Sequence, residues 1–293
     1  MPASTATLSD ATSPKTARSS RGRQRDWPKH VALLTLIAIE LFPLYMMFQV
    51  SFKDTSAFLR QPWLPLPISQ WDWSNWGFGI KLIAPYLANT VFVTTCATVG
   101  TFFFALLGAY FFARAKLPGK EFLWVLFLIL LIMPGVGTFV PVFMLLKSLH
   151  LLNTLFALIL LGVAGGQVFN VFILRHFIED IPKDLFEAAE MDGASHFQRM
   201  VHIVIPMAAP IIGTLSIFAF MGGWNDFMMP LIILRDQELF TLGVGLIYLE
   251  GEYVKPWGKI MATYFISSVP LLIMLLFTMR FFVRSFSAGA VKG

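Results

Sequence analysis

Charge is scarce in this chain and cysteine almost absent. Only 13% of its 293 residues are Asp, Glu, Lys or Arg, against 57% hydrophobic, and the mean hydropathy is +0.71. So few charges cannot cover a soluble surface, which excludes the ordinary globular class and leaves an integral membrane protein. The single cysteine, Cys96, excludes an intrachain disulfide, and its place inside an apolar run suits a small filler. A nucleotide-phosphate loop is missing too: Gly119-Lys120 and Gly258-Lys259 are followed by Glu121 and Ile260 instead of Ser or Thr. No HExxH zinc motif occurs, and His176, His196 and His202 read as solvated or packing side chains rather than metal ligands.

Long apolar runs are what the chain has in quantity. Six of them, at about 31–50, 86–113, 122–146, 154–174, 207–234 and 258–283, are each long enough to span hydrocarbon as a helix of roughly 20 residues. The expected fold is therefore an all-α integral membrane protein with six transmembrane helices. Of the 22 basic residues, fifteen fall on one side, before the first run, after the second and fourth, and at the C-terminus. That asymmetry places both termini in the cytoplasm. The net charge of +5 thus reports topology, and no nucleic acid is implied. Residues 1–26, rich in Ser, Thr, Ala and Arg, read as a disordered cytoplasmic tail, and 27–293 as the membrane domain.

Polar features inside the runs mark candidate path or packing sites. Glu40 lies mid-run and calls for a polar partner, a cavity or protonation. Asp226, in Gly222-Gly223-Trp224-Asn225-Asp226, is open to two readings, a pathway residue or a wet structural carboxylate near the outer interface. The third run is interrupted at Met133-Pro134-Gly135-Val136-Gly137, either a packing kink or the wall of a solute path. The first outer loop carries Trp63, Trp71, Trp73 and Trp76 with several prolines, which favours an interfacial aromatic belt.

The most informative segment is a polar island, 182–206, between the fourth and fifth runs. Pro182 ends one helix. Asp184 stands three residues before Glu187 and Ser195 three before Gln198, two capping-box spacings that predict two short helices. Gly193 suits the left-handed residue between them, and Pro206 is expected to stop the second helix. Leu185, Ala188 and Ala189 share one face, small enough for another surface to come close. Two acidic residues per turn oppose adsorption to an anionic leaflet, so a docking surface for a soluble protein fits better than a headgroup-lying helix.

These residues resemble a known family. Glu187-Ala188-Ala189, Gly193, Ile203 and Ile205-Pro206 are similar to the cytoplasmic signature of ATP-binding-cassette (ABC) importer permeases, with Ile205 where Leu is usual. Asn89, Ala109-Tyr110, Ala113-Arg114, Pro118-Gly119, Asn153-Thr154, Leu174-Arg175 and Trp224-Asn225-Asp226-Phe227 look like the carbohydrate-importer subfamily typified by maltose permeases. Leu161 departs from the proline common there.

The resemblance implies a type I importer permease fold in a bacterial inner membrane. It implies a second homologous permease, two ATP-binding subunits that carry the ATP and Mg, and a periplasmic or lipid-anchored solute-binding protein. This chain would hold no catalytic, metal or cofactor-binding residue. Glu187, Ala188, Ala189, Asp192, Gly193, Ile203 and Pro206 would couple to the ATPase, while Trp224, Asn225, Asp226, Pro134 and Gly135 are candidates for the sugar path. Glu238, Glu250, Glu252 and Tyr253 would approach the binding protein. The sugar stays open between a neutral disaccharide and an acidic oligosaccharide such as alginate. The alternative to an ATP-driven importer is an ion-gradient-driven secondary transporter.

Overall fold

The computed structural model describes residues 27–133, 135–249 and 255–290, with side chains omitted at 135, 136, 275 and 277–290. The tail 1–26, Pro134, the loop residues Glu250, Glu252 and Tyr253, and 291–293 lie outside the described residues. The described residues are helical, in the order α1 (Trp27–Val50), α2 (Thr55–Arg60), α3 (Ser74–Arg114), α4 (Lys120–Ile132), α5 (Phe139–Ser148), α6 (Leu155–Gly165), α7 (Gln167–Asp180), α8 (Lys183–Met191), α9 (His196–Arg199), α10 (Ile205–Asn225), α11 (Met228–Ile233), α12 (Leu242–Leu249) and α13 (Trp257–Ala290). The chain divides into two units, 1–43 and 44–293. In the first, Glu40 lies in the middle part of α1 and is exposed.

Four helical stretches of the described chain are long and apolar enough to cross a bilayer: α1, α3, His196–Asn225 and the Trp257–Met274 part of α13. A fifth forms if α6 and α7, bent by 41° at Gly166, count as one span. The expected third span is divided into α4, of 13 residues, and α5, of 10, joined by the 3-10 turn Gly135–Thr138. At 1.5 Å per residue they reach about 20 and 15 Å, so neither alone crosses about 30 Å of hydrocarbon.

Two helix limits differ from the sequence expectation. The second span begins at Ser74 and not after Pro85, because Ile83 and Tyr86 are buried in the core and hold the helix through that proline. The expected run 207–234 breaks after Asn225. There Asp226 adopts extended backbone and its carboxylate accepts the Met229 N–H at 3.3 Å, starting α11.

Helix α3 is the axis around which α6, α7, α10 and α13 pack. Small residues allow close approach: a side chain added at Gly162 of α6 would come within 2.7 Å of Ala97 Cβ. One buried core, including Ile83, Leu146, Leu158 and Trp224, lies along the α3 end that carries Asn89, and a second, including Phe102, Leu106, Trp124, Leu174 and Ile178, along the end that carries Arg114.

The loops around 51–76 and 150–153 are fastened by polar anchors. Lys53 is fully buried, and its ammonium donates to the carbonyls of Gln61 (2.7 Å), Pro62 (3.2 Å) and Leu64 (2.7 Å). Asn75 donates to the carbonyls of Ser51 and Lys53, both at 3.0 Å. Phe52 stacks on Trp71 at 4.0 Å and on Trp76 at 5.4 Å, so these two tryptophans belong to a loop core, whereas Trp63 and Trp73 remain exposed. Asn153 takes a left-handed φ of 59° and binds Asp236 through Nδ2 (2.7 Å), while its Oδ1 accepts from the Arg235 and Asp236 N–H groups.

Candidate functional site: a two-helix elbow and a polar groove

The island forms an elbow of two short helices. Helix α8 starts at Lys183 with Pro182 as its N-cap residue, so Asp184 sits inside the first turn rather than capping it. Proline fixes the entry φ at no hydrogen-bond cost, and Asp184 complements the positive helix end. The second capping box forms as expected: Gln198 N–H donates to Ser195 Oγ (3.3 Å), and Ser195 N–H donates to Gln198 Oε1 (2.8 Å). Gly193 has φ +75°, the left-handed conformation, and the Ala194 N–H closes back onto the Ala189 carbonyl at 2.9 Å.

Pro206 does not stop the second helix. Residues Met200–Val204 form one π turn, with the Ile205 N–H bonded to the Met200 carbonyl, and α10 continues directly. The wider turn relaxes the i−4 ladder just where Pro206 has no N–H to give it.

What holds the elbow was only partly visible in the sequence pattern. Phe186 is its buried anchor at 7% exposure, and the Arg114 guanidinium lies 4.1 Å from that ring. The same guanidinium donates to the carbonyls of Ile178 (2.6 Å) and Ile181 (2.7 Å), closing the C-terminus of α7. Arg199 bridges to Glu190 at 3.0 Å and lies 3.4 Å from His196 Nδ1. The Tyr110 hydroxyl meets the same Nδ1 at 3.1 Å. His202 Nδ1 pairs with the Gln198 carbonyl and His176 Nδ1 with that of Phe172, so all three histidines are engaged in packing contacts.

Glu187, Ala188, Asp192 and Gly193 are left exposed, Ala189 and Ile203 half-buried, and Pro206 exposed. Leu185, Met191 and Phe197 add exposed apolar surface beside them, Met191 at 89%. Met191 and Phe197 escaped the sequence reading; an apolar residue on each side of a capped glycine was the available signal. A recess of about 260 Å³ in the elbow is lined by residues that include Asp192, Gln198, Arg199 and His202.

The second region is a groove along α3. One cavity of about 620 Å³ is lined by Thr94, Thr98 and Thr101 of α3, Asn170, and Asn225 with Asp226. An adjoining one of about 570 Å³ shares Thr94 and Asp226 and reaches Met133 and Thr138, on either side of the helix break. Among the described residues, Asp226 is the only charged side chain lining either cavity. Asn225 donates to the Met221 carbonyl at 2.9 Å. Trp224 does not line this groove: it is 8% exposed and stacks on Phe220 at 5.8 Å, because its ring points into the core while its neighbours face the groove. Gly135 lies in the turn beside Met133, and Pro134 is outside the described residues.

Several helices long and apolar enough to cross a membrane, a side groove and a solvent-exposed elbow fit a membrane transport component. The family model described as "Binding-protein-dependent transport system inner membrane component" matches residues 103–288, and the chain belongs to that family. It is 35% identical to the probable ABC transporter permease protein YurM of Bacillus subtilis, over 89% of this chain and 86% of that protein. It is 30% identical to the trehalose/maltose transport system permease protein MalG of Thermococcus litoralis, over 90% and 95%. The fold matches a chain of a bacterial ABC transporter involved in the import of the acidic polysaccharide alginate. That match has a TM-score of 0.76 and 22% identity, and covers 89% of this chain and 99% of the other. The protein is thus a multi-pass inner-membrane permease of an ABC importer, a class of subunit without an ATPase site of its own.

Proposed function

We propose that this chain is one of two permease subunits in an importer of sugars or oligosaccharides, and that its elbow seats on an ATP-hydrolysing partner. In this reading α4 and α5 together complete a six-span body with both termini inside. A second, homologous permease covers the groove, and two ATPase subunits holding ATP and Mg bind below. A periplasmic or lipid-anchored binding protein delivers solute from outside. Glu187, Ala188, Ala189, Asp192 and Gly193 form the contact, and Ile203 and Pro206 carry the elbow into α10.

One observation carries the reading. The elbow is internally pinned by Phe186, Arg114 and Arg199, yet its capped, small-residue face points to solvent. A rigid surface of that kind transmits a push from a partner as a body. Sugar as cargo is supported by relatives named for trehalose/maltose, diacetylchitobiose and arabinooligosaccharides. It is supported too by a groove of Thr and Asn side chains with Asn225 and Asp226, groups that suit sugar hydroxyls. Trp224 then serves the path only indirectly, packed in the core beside Asn225 in the sequence.

The test is copurification. Gly193→Trp and Glu187→Lys, made in a tagged chain, should insert normally, lose the ATP-hydrolysing partner from the purified complex, and abolish sugar uptake. Retention of both partner and uptake would overturn the reading.

A further inference from the structure

Two residues on the cytoplasmic end of α3 hold the two halves of the elbow separately. Arg114 grips the first half through the Phe186 ring at 4.1 Å and the Ile178 and Ile181 carbonyls that lead into α8. Tyr110, one helical turn earlier on the same face, grips the second half through His196 Nδ1 at 3.1 Å. Arg199 joins the halves to each other through Glu190 and His196. Any rigid displacement of the elbow must therefore load the end of α3 at two points.

The same helix lines one wall of the groove and holds a loop at its far end. From Tyr110 back to Asn89 it runs without a proline or a break for about 32 Å at 1.5 Å per residue. Midway, Thr94, Thr98 and Thr101 line the groove. At the outer end, Asn89 donates to the Glu238 (2.8 Å) and Phe240 (3.0 Å) carbonyls, and Thr90 Oγ1 accepts the Leu242 N–H at 2.7 Å. The outer loop thus rides on the helix whose other end is held by the elbow.

We infer that Tyr110 and Arg114 are positioning residues that make α3 a rod, carrying elbow motion to the groove and to the outer loop together. The inference rests on the coupling reading above. The separate function of the pair is transmission: neither side chain belongs to the elbow's outward face, which the Arg199–Glu190 bridge, the left-handed Gly193 and the Ser195–Gln198 capping box still shape when Tyr110 is changed. Without them the elbow would swing on the Pro182 and Ile203 connections and leave α3 behind.

The native thiol supplies the reporter. Cys96 lies on α3 between the groove residues Thr94 and Ala97, half-buried, and is the only cysteine of the chain. In the assembled transporter, purified through a tag on this chain, its maleimide labelling rate is measured with and without a non-hydrolysable ATP analogue and Mg. The wild type should change rate when the nucleotide binds. Tyr110→Phe, which removes one hydroxyl, should keep the ATP-hydrolysing chains and the nucleotide-free rate while the nucleotide-dependent change falls about fivefold. Arg114→Lys, which keeps an ammonium donor but loses the planar guanidinium held against the Phe186 ring, should lower it about tenfold.

Full retention of the change in both variants, or no change in the wild type, would overturn the rod. So would loss of the ATP-hydrolysing chains from Tyr110→Phe, since that residue would then only fold the loop. Gly193→Trp run in parallel separates the two failures. If it sheds the partner while the Tyr110 and Arg114 variants label like wild type, coupling stands and the rod falls. If it keeps the partner and uptake, the coupling reading falls first and takes the rod with it.

Discussion

Replacing Lys53 by Met should loosen the first outer loop without disturbing the membrane spans. The side chains are close in volume, so the change removes an ammonium rather than opening a cavity. Three carbonyls lose their donor, but Pro62 keeps a second one, the Gln49 amide at 2.7 Å. The Gln61 and Leu64 carbonyls, each at 2.7 Å from the ammonium, are left to water or to nothing. At about 1–3 kcal/mol for each orphaned group, the loss is about 2–6 kcal/mol, with the lower end applying where the loop opens to water. Relief of the buried charge works against this, because burial pushes the Lys53 pKa below its usual 10.5. The carbonyl term wins, since all three contacts, at 2.7, 3.2 and 2.7 Å, are within hydrogen-bond distance. The sign with pH follows. A lysine whose folded pKa is lowered costs the fold most below that pKa, and the cost fades as pH climbs toward 10.5. The stability advantage of wild type over Lys53→Met should therefore widen on the alkaline side. The assay is thermal unfolding of the detergent-solubilised protein alongside limited proteolysis across residues 60–66. Equal melting temperatures and equal cleavage rates would refute the fastening role of Lys53.

Other expectations follow from the same contacts. Phe186→Ala should cost about 3 kcal/mol locally and detach the elbow from the Arg114 guanidinium, seen as faster amide exchange over 182–199 with the spans unchanged. Ser195→Ala removes one half of a capping box and should cost about 1 kcal/mol, lowering uptake without abolishing it, whereas Ser195→Asp should restore it. Asn153→Leu leaves the Asp236 carboxylate and two loop N–H groups without their partner, and protease sensitivity should appear at 234–240 in the intact protein. Asp226→Asn keeps an acceptor for the Met229 N–H but removes the groove's charge, so the fold should survive while competition between neutral and uronic sugars for uptake shifts toward the acidic ones.

Much of this architecture follows from local rules that act within a few residues. The capping box at Ser195 and the left-handed Gly193 depend only on nearby backbone geometry, and both sit where the spacing put them. The elbow's acidic, small-residue face is exposed for the same reason. What escaped depends on contacts made at a distance. Pro85 reads as a helix stop, yet packing of Ile83 and Tyr86 carries α3 through it. Pro206 likewise reads as a stop, and a π turn absorbs it. Trp224 reads as a candidate for the sugar path because an aromatic face suits sugar hydroxyls, but side chains one residue apart on a helix point in different directions, and the ring packs in the core. Arg114 and Tyr110 stood in a recognisable motif, but their partners lie 64 to 86 residues away and nothing local names them.

The central claim is that the Glu187–Gly193 face touches an ATP-hydrolysing subunit. Site-directed cross-linking tests it directly: Ala188→Cys in a Cys96→Ser background, labelled in native membranes with a short thiol-reactive photo-cross-linker and irradiated, followed by mass spectrometry of the cross-linked product. The account predicts an adduct to an ATP-hydrolysing chain that weakens or disappears when Gly193→Trp is added. Adducts confined to this chain or to lipid, with the ATPase recovered unmodified, would contradict it.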